Sequence, residues 1–115
     1  MLKAIMTAVA GVTLAACASV PVAPERVQAS EQAIQVAQAA GAERQPGAAK
    51  YLDLARSEVT QGKKLSDSGE PREAETMLAR AESDAKLAAA MAKEGTSKAE
   101  VQRLADELKK VSANQ

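Results

Sequence analysis

The residues with the most specific chemistry in this chain are Leu14-Ala15-Ala16-Cys17. Cys17 is the only cysteine, and it closes an apolar run that begins just after Lys3. This run is too short for a membrane-spanning helix, which needs about 20 apolar residues. A positive residue, a short apolar run and small residues at its end are typical of a secretory signal that is cleaved off. The pattern therefore predicts an exported protein with a signal peptide over residues 1–16.

The same four residues resemble the lipobox of bacterial lipoproteins, in which Leu and two small residues precede an obligatory Cys. The resemblance implies diacylglycerol transfer to the Cys17 thiol, cleavage between Ala16 and Cys17, and acylation of the new amino group. Two or more acyl chains hold a protein stably on a membrane, at about 0.8 kcal/mol per buried methylene. Ala18 stands where lipoproteins kept in the inner membrane commonly carry Asp, which implies the outer membrane and the periplasmic side of a Gram-negative envelope. The alternative is an ordinary secreted protein in which Cys17 is a free thiol or forms an intermolecular disulfide.

The remaining composition argues against most kinds of enzyme chemistry. The chain has no histidine, and its only aromatic residue is Tyr51. These absences exclude the usual zinc sites, the Cys/His pairs and the Ser-His-Asp arrangement. The 15 basic and 15 acidic side chains are interspersed, so they predict no electrostatic attraction to nucleic acid. We expect a non-enzymatic protein with no catalytic residue, metal site, cofactor or small-molecule substrate.

The chain after Cys17 divides into a tether and a series of helices. Residues 17–24 contain two prolines and read as a flexible tether. Apolar residues at three- and four-residue spacings predict an Ala-rich helical domain over 25–93, with helices over 25–40, 48–66 and 71–93. We expect an all-α fold, in which the second and third helices form an antiparallel hairpin within a small three- to four-helix body.

Glycine and proline mark the predicted helix ends, and alanine dominates the faces that should meet. Gly41 and Gly69 end helices, while Pro46 and Pro71 suit the first turns of the next ones. Alanine lets two helix axes approach closely, but it buries little area, so the body should be only marginally stable. The predicted packing faces are Val27, Ala33, Ile34, Ala37 and Ala40; Leu52, Ala55, Val59 and Gly62, widened by Leu54 and Leu65; and Ala74, Met77, Leu78, Ala81, Ala85, Ala88 and Met91.

Residues 94–115 predict a separate C-terminal helix with a short heptad seam. Glu94-Gly95-Thr96 interrupts the preceding pattern, and Ser97 with Glu100 fits a capping box that opens a helix to about Val111. The 3-4-3 spacing typical of a coiled-coil seam follows in Val101, Leu104, Leu108 and Val111. This face either binds a partner or packs back on the hairpin, and the sequence leaves both readings open.

The body also resembles a family of short Ala-rich bacterial lipoproteins that is classed as a domain of unknown function. The residues that carry the resemblance are Ala39-Ala40-Gly41, Pro46 before a helix, Tyr51-Leu52-Asp53-Leu54-Ala55-Arg56, Arg72-Glu73-Ala74 after Gly69, and the run from Ala81 to Ala88. Members are often encoded near, or fused to, OmpA-like peptidoglycan-binding domains, and this chain has no such domain. The resemblance implies a helical hairpin that is tetratricopeptide-like at most, with no catalytic residues to transfer.

These observations favour a membrane-anchored helical adaptor or structural module in cell-envelope organisation. Its partner would be another envelope protein or a second copy of the chain. One alternative is an alanine-zipper lipoprotein that oligomerises and links the outer membrane to peptidoglycan. Another is a carrier of lipid or peptide, which needs an apolar cavity with bulky walls.

Overall fold

The computed structural model describes residues 21–114, and over this range the chain is built from three helices. They are α1 (Pro24–Ala39), α2 (Pro46–Asp67) and α3 (Pro71–Ala113). A single 3₁₀ turn, Ala42–Arg44, lies between α1 and α2. The all-α prediction is confirmed, and so is the hairpin of α2 and α3, which make the most extensive contact in the fold.

Glycine and proline end and start these helices as the sequence predicts. Gly41 has a φ of 86° and Gly69 a φ of 79°, a left-handed conformation that side chains disfavour. After α2 the amide of Glu70 donates to Leu65 O, and that of Gly69 to Ser66 O, which is a Schellman motif. Pro46 and Pro71 each stand at the start of a helix, where the missing amide hydrogen costs nothing.

α1 lies in the groove of the hairpin and runs parallel to α3. Near its start, Arg26 pairs with Glu75 at 2.7 Å, and near its end Ala37 packs in a cluster with Ala88 and Ala92. The core that the three helices share is mostly alanine. Its buried apolar residues are Ala33, Ala37, Ala42, Ala48, Leu52, Ala55, Val59, Ala74, Leu78, Ala81, Ala85, Ala88, Ala89 and Ala92.

The close helix approach that alanine predicts is most evident at Gly62. A Cβ there would lie 2.8 Å from Leu78 Cγ, closer than real contacts allow. Gly62 therefore lets the backbone of α2 lie directly on a leucine of α3, and this compensates for the cost of glycine inside a helix, about 1 kcal/mol.

The predicted interruption at residues 94–96 is wrong, since α3 continues through it to Ala113. Ser97 is not a helix cap: its hydroxyl donates to Lys93 O within the helix, as that of Thr96 does to Ala92 O. A lone glycine costs about 1 kcal/mol in a helix but removes no hydrogen bond, unlike proline. Gly95 is therefore an interior position, and residues 97–111 are the second half of α3.

Three smaller expectations also differ from the structure. Leu54 does not widen the packed face of α2 but is 41% exposed. The i, i+4 spacing of Arg80 and Asp84 predicts an ion pair along α3, but Arg80 pairs with Glu58 of α2 instead. Val22, placed in the flexible tether, packs against the Val59–Leu78–Ala81 cluster, and its amide lies 3.4 Å from Ser66 Oγ.

Candidate interaction surface

The packed body ends where Gln45 meets α3. The side-chain amide of Gln45 donates to Ala92 O at 3.0 Å, and a Cβ on Gly95 would collide with the same side chain. Beyond this point residues 96–113 continue as helix, and every one of them except the half-buried Ala105 is exposed. We call residues 96–113 the extension.

The four residues of the predicted seam lie on the extension and are exposed. Because they recur at 3-4-3 spacing on a continuous helix, they form one apolar stripe along it. The reading in which this face packs back on the hairpin is therefore wrong. Their exposed fractions are 66% for Val101, 46% for Leu104, 71% for Leu108 and 59% for Val111.

Ion pairs within the helix stabilise the extension in the place of tertiary contacts. Lys98 pairs with Glu94 at 2.7 Å, and Arg103 pairs with both Glu100 and Glu107. Hydrogen bonds from Arg103 lower the pKa of Glu100, and one from Lys98 lowers the pKa of Glu94. Ion pairs between exposed side chains at these spacings stabilise a helix only weakly, and the extension is held by such local interactions alone.

A groove between α1 and α3 lies on the body next to the extension. Its volume is about 440 Å³, and small apolar side chains, among them Ala33, Val36 and Ala90, make up its floor. Lys86 and Lys93 of α3 also line it. Val36 is 49% exposed, so the groove presents a large apolar side chain to solvent. Sequence reasoning missed this groove, because it depends on how α1 lies against α3.

One carboxyl group is buried between α2 and α3, and sequence reasoning missed it as well. Glu58 is 4% exposed, its Oε1 lies 3.4 Å from Arg80, and its Oε2 has no hydrogen-bond partner among the described residues. Burial, and then the neighbouring Asp84, raise the pKa of Glu58. Its burial could have been predicted from the sequence, because Glu58 precedes Val59 and lies on the side of α2 that packs against α3. The contact with Arg80 makes it an interhelical ion pair.

The predicted lipidation and cleavage residues, Cys17 and Ala16, lie outside residues 21–114. Within that range no group of three or more His, Cys, Asp or Glu side chains could hold a metal ion. None of the helices in the described part is both long and apolar enough to cross a membrane.

Comparison with known proteins finds no relative of this chain: no protein-family model, no curated protein and no solved structure matches it. The resemblance to Ala-rich lipoproteins therefore stays a prediction from the residues that carry it.

Proposed function

We propose that this protein is a non-enzymatic lipoprotein that is held on the periplasmic face of the outer membrane by acyl chains on Cys17. In this proposal it acts as a helical adaptor in cell-envelope organisation. The anchor rests on the sequence Leu14-Ala15-Ala16-Cys17 after an apolar run.

The observation that carries the adaptor role is the extension with its stripe of exposed aliphatic side chains. Val101 and Leu108 are each more than half exposed, whereas the buried core of the body is mostly alanine. An amphipathic helix that projects from a packed body supports binding to another helix, by the i, i+3, i+4 and i+7 anchors of helix recognition.

The anchor is tested by the Cys17→Ala variant in cells that are fed labelled fatty acid. We expect the label and the membrane association to be lost together. Retained label with unchanged membrane fractionation would show that the lipobox interpretation is wrong.

The adaptor role is tested by a photo-crosslinking residue at position 104 in intact cells, with the same residue at exposed position 57 on the body as the control. We expect a crosslinked product from position 104 that position 57 does not give. Isolated monomer at both positions would contradict the proposal.

The alanine-zipper alternative requires one continuous helix, and the turns at Gly41 and Gly69 that separate the three helices argue against it. Small-angle scattering from the full chain would support it only by showing a rod longer than α3. The carrier alternative would use the groove between α1 and α3, and lipid that purifies with the Cys17→Ala chain would support it.

A further inference from the structure

The apolar stripe of the extension continues onto the body along the same side of α3. Spacings of three and four residues alternate without a break from Leu87 to Val111. The positions are Leu87, Ala90, Glu94, Ser97, Val101, Leu104, Leu108 and Val111. All are exposed, and Leu87 is 43% exposed. The heptad spacing therefore extends over about three and a half heptads, with six apolar positions and two polar ones, Glu94 and Ser97, in the middle.

This side of α3 is distinct from the face that packs in the body. At about 100° per residue, the centre of the stripe lies roughly 160° around the helix from the buried alanines such as Ala81 and Ala85. Ala90 belongs both to the stripe and to the groove beside α1. A helix that docked on the stripe would thus lie along one edge of this groove, on the side of α3 opposite to the buried alanines.

The charges beside the stripe reverse at the boundary between body and extension. Lys86, Lys93, Glu100 and Glu107 follow one another at seven-residue intervals, so they occupy the same heptad position along one edge of the stripe. The two on the body are basic and line the groove, where Lys86 pairs with Glu82 of the same helix, and the two on the extension are acidic. Arg103 is shared by Glu100 and Glu107, so this part of the edge keeps a net negative charge.

From this pattern we infer that the stripe binds a second copy of this chain in antiparallel orientation, the extension of each copy lying along the edge of the other copy's groove. When two identical helices run in opposite directions, equivalent edges face each other. The register that sets Lys93 beside Glu100 of the second copy also sets Lys86 beside its Glu107. The two-fold axis then repeats both pairs, as an isologous interface requires.

The same register brings the apolar residues together in the central part of the seam but not at its ends. Leu87 meets Leu104 of the second copy and Ala90 meets its Val101, whereas Leu108 and Val111 lie opposite the polar Ser83 and Arg80. Glu94 and Ser97 lie opposite each other near the two-fold axis, and polar residues at such positions fix the register of a coiled coil at some cost in stability.

A parallel pair would set each seam residue against its own equivalent, but it lacks the charge complementarity. Its opposed edges would place Lys93 beside Lys98 of the second copy, and Glu100 beside Ala105. Like charges across a helix interface are unfavourable, so the charge pattern selects the antiparallel arrangement.

The inference deepens the proposed function, because it names the molecule that binds the stripe. It rests on that proposal only in treating the stripe as a binding surface.

In the antiparallel pair the two bodies would extend from the two-fold axis in opposite directions. Since a helix rises about 1.5 Å per residue, the N-terminal ends of the bodies would lie roughly 70 Å apart. A pair anchored through both copies would therefore link two separate membrane sites.

The test uses charge reversal in the full chain, purified from membranes in detergent, with sedimentation equilibrium as the measurement. One variant, Lys86→Glu/Lys93→Glu, has four acidic residues along the edge, and the other, Glu100→Lys/Glu107→Lys, has four basic ones. We expect the wild type to form dimers, and each variant alone to dissociate at least about tenfold more readily. Mixed together, the two variants should form heterodimers as readily as the wild type pairs.

The matched control is Lys109→Glu/Lys110→Glu, which changes the net charge as the first variant does but lies off the stripe and its edge. It should form dimers like the wild type. Unchanged dimers in both edge variants, or a mixture that stays monomeric, would overturn the inference, as would a monomeric wild type. If the wild type is monomeric while position 104 crosslinks to a different envelope protein in cells, self-pairing is wrong and the adaptor function stands. If neither partner is found, both proposals fail.

Discussion

Residues 71–95 and residues 96–113 belong to one helix, yet the first part buries small apolar side chains and the second part exposes larger ones. In the first part small alanines such as Ala81 and Ala85 are fully buried, and in the second part the larger Val101 and Leu108 are exposed. The body obtains close helix packing from side chains that contribute little area each. The extension keeps the side chains that would contribute more, and nothing else in residues 21–114 covers them. This contrast supports the proposal that the extension binds a partner and that the body positions it.

The largest expected effect is a difference in stability between two variants, one that removes a leucine from residues 71–95 and one that removes a leucine from the extension. Leu78→Ala should lower the free energy of unfolding by about 2–5 kcal/mol, because Leu78 is fully buried and one of the few large core residues. Leu104→Ala, the matched change on the extension, should cost less than about 0.5 kcal/mol. Urea unfolding followed by circular dichroism, at a concentration low enough to avoid association, measures both. Equal losses would mean that the extension packs on the body.

Amide hydrogen exchange should divide α3 at about residue 96. At low protein concentration we expect the amides of residues 98–113 to exchange at least about a hundredfold faster than those of residues 78–92, because an isolated helix of this length is only marginally stable. Raising the concentration should then slow exchange in the extension alone, as self-pairing protects it. Protection that is equal along α3 in dilute solution would contradict the comparison.

The two interior glycines of these helices should respond differently to alanine. Gly62→Ala should destabilise the body by about 1 kcal/mol, since the overlap with Leu78 outweighs the gain in helix propensity. Gly95→Ala meets only the end of the Gln45 side chain, which can move, so the change in stability should stay within about 0.5 kcal/mol. Thermal unfolding of both variants checks this. Gly62→Ala at wild-type stability would show that α2 and α3 are not in close contact there.

The smallest expected effect is the pH dependence that Glu58 contributes. Its pKa is raised from 4.5 by burial and by Asp84, so the folded state holds this proton more tightly than the unfolded state. Its favourable contribution is complete below pH 4.5 and is lost as the pH rises through the raised pKa. The stability advantage of Glu58→Gln over the wild type should therefore grow from pH 4.5 upward and then level off.

Glu43→Gln is the control, because the contribution of Glu43 to stability depends on pH in the opposite direction. Hydrogen bonds from Arg56 and Gln38 lower the pKa of the exposed Glu43, so its contribution is present above pH 4.5 and is lost as the pH falls. Urea unfolding across this pH range distinguishes the two variants. A pH-independent difference for Glu58→Gln would show that the carboxyl is solvated in the folded protein.

Local sequence signals predicted most of the elements but not their full extent. Gly41, Pro46, Gly69 and Pro71 predicted the helix ends because their backbone preferences act within one or two residues. The same reasoning wrongly predicted a helix end at Gly95, since a glycine without a neighbouring proline or a left-handed conformation only weakens a helix. Only the structure shows that Gly95, Thr96 and Ser97 lie in the interior of α3, because the helix continues through them to Ala113.

The candidate surface could be predicted in part. The 3-4-3 spacing of Val101, Leu104, Leu108 and Val111 identified the stripe, but the same spacing fits a packed helix and a free one equally well. Whether such a stripe is covered depends on the length and path of the other helices. α1 ends and α2 begins beside Ala92, and this leaves the following part of α3 uncovered by the other described residues.

The sequence by itself determined the lipobox, the all-α composition, the helix ends and the heptad spacing, because each depends on residues that are close together in the chain. Only the tertiary structure decided which apolar stripe is buried and which is exposed, where the groove lies, and that Glu58 is enclosed between two helices. These properties depend on the packing of α1 against α3 and of α2 against both. Residues far apart in the chain make these contacts, and local preferences do not specify them.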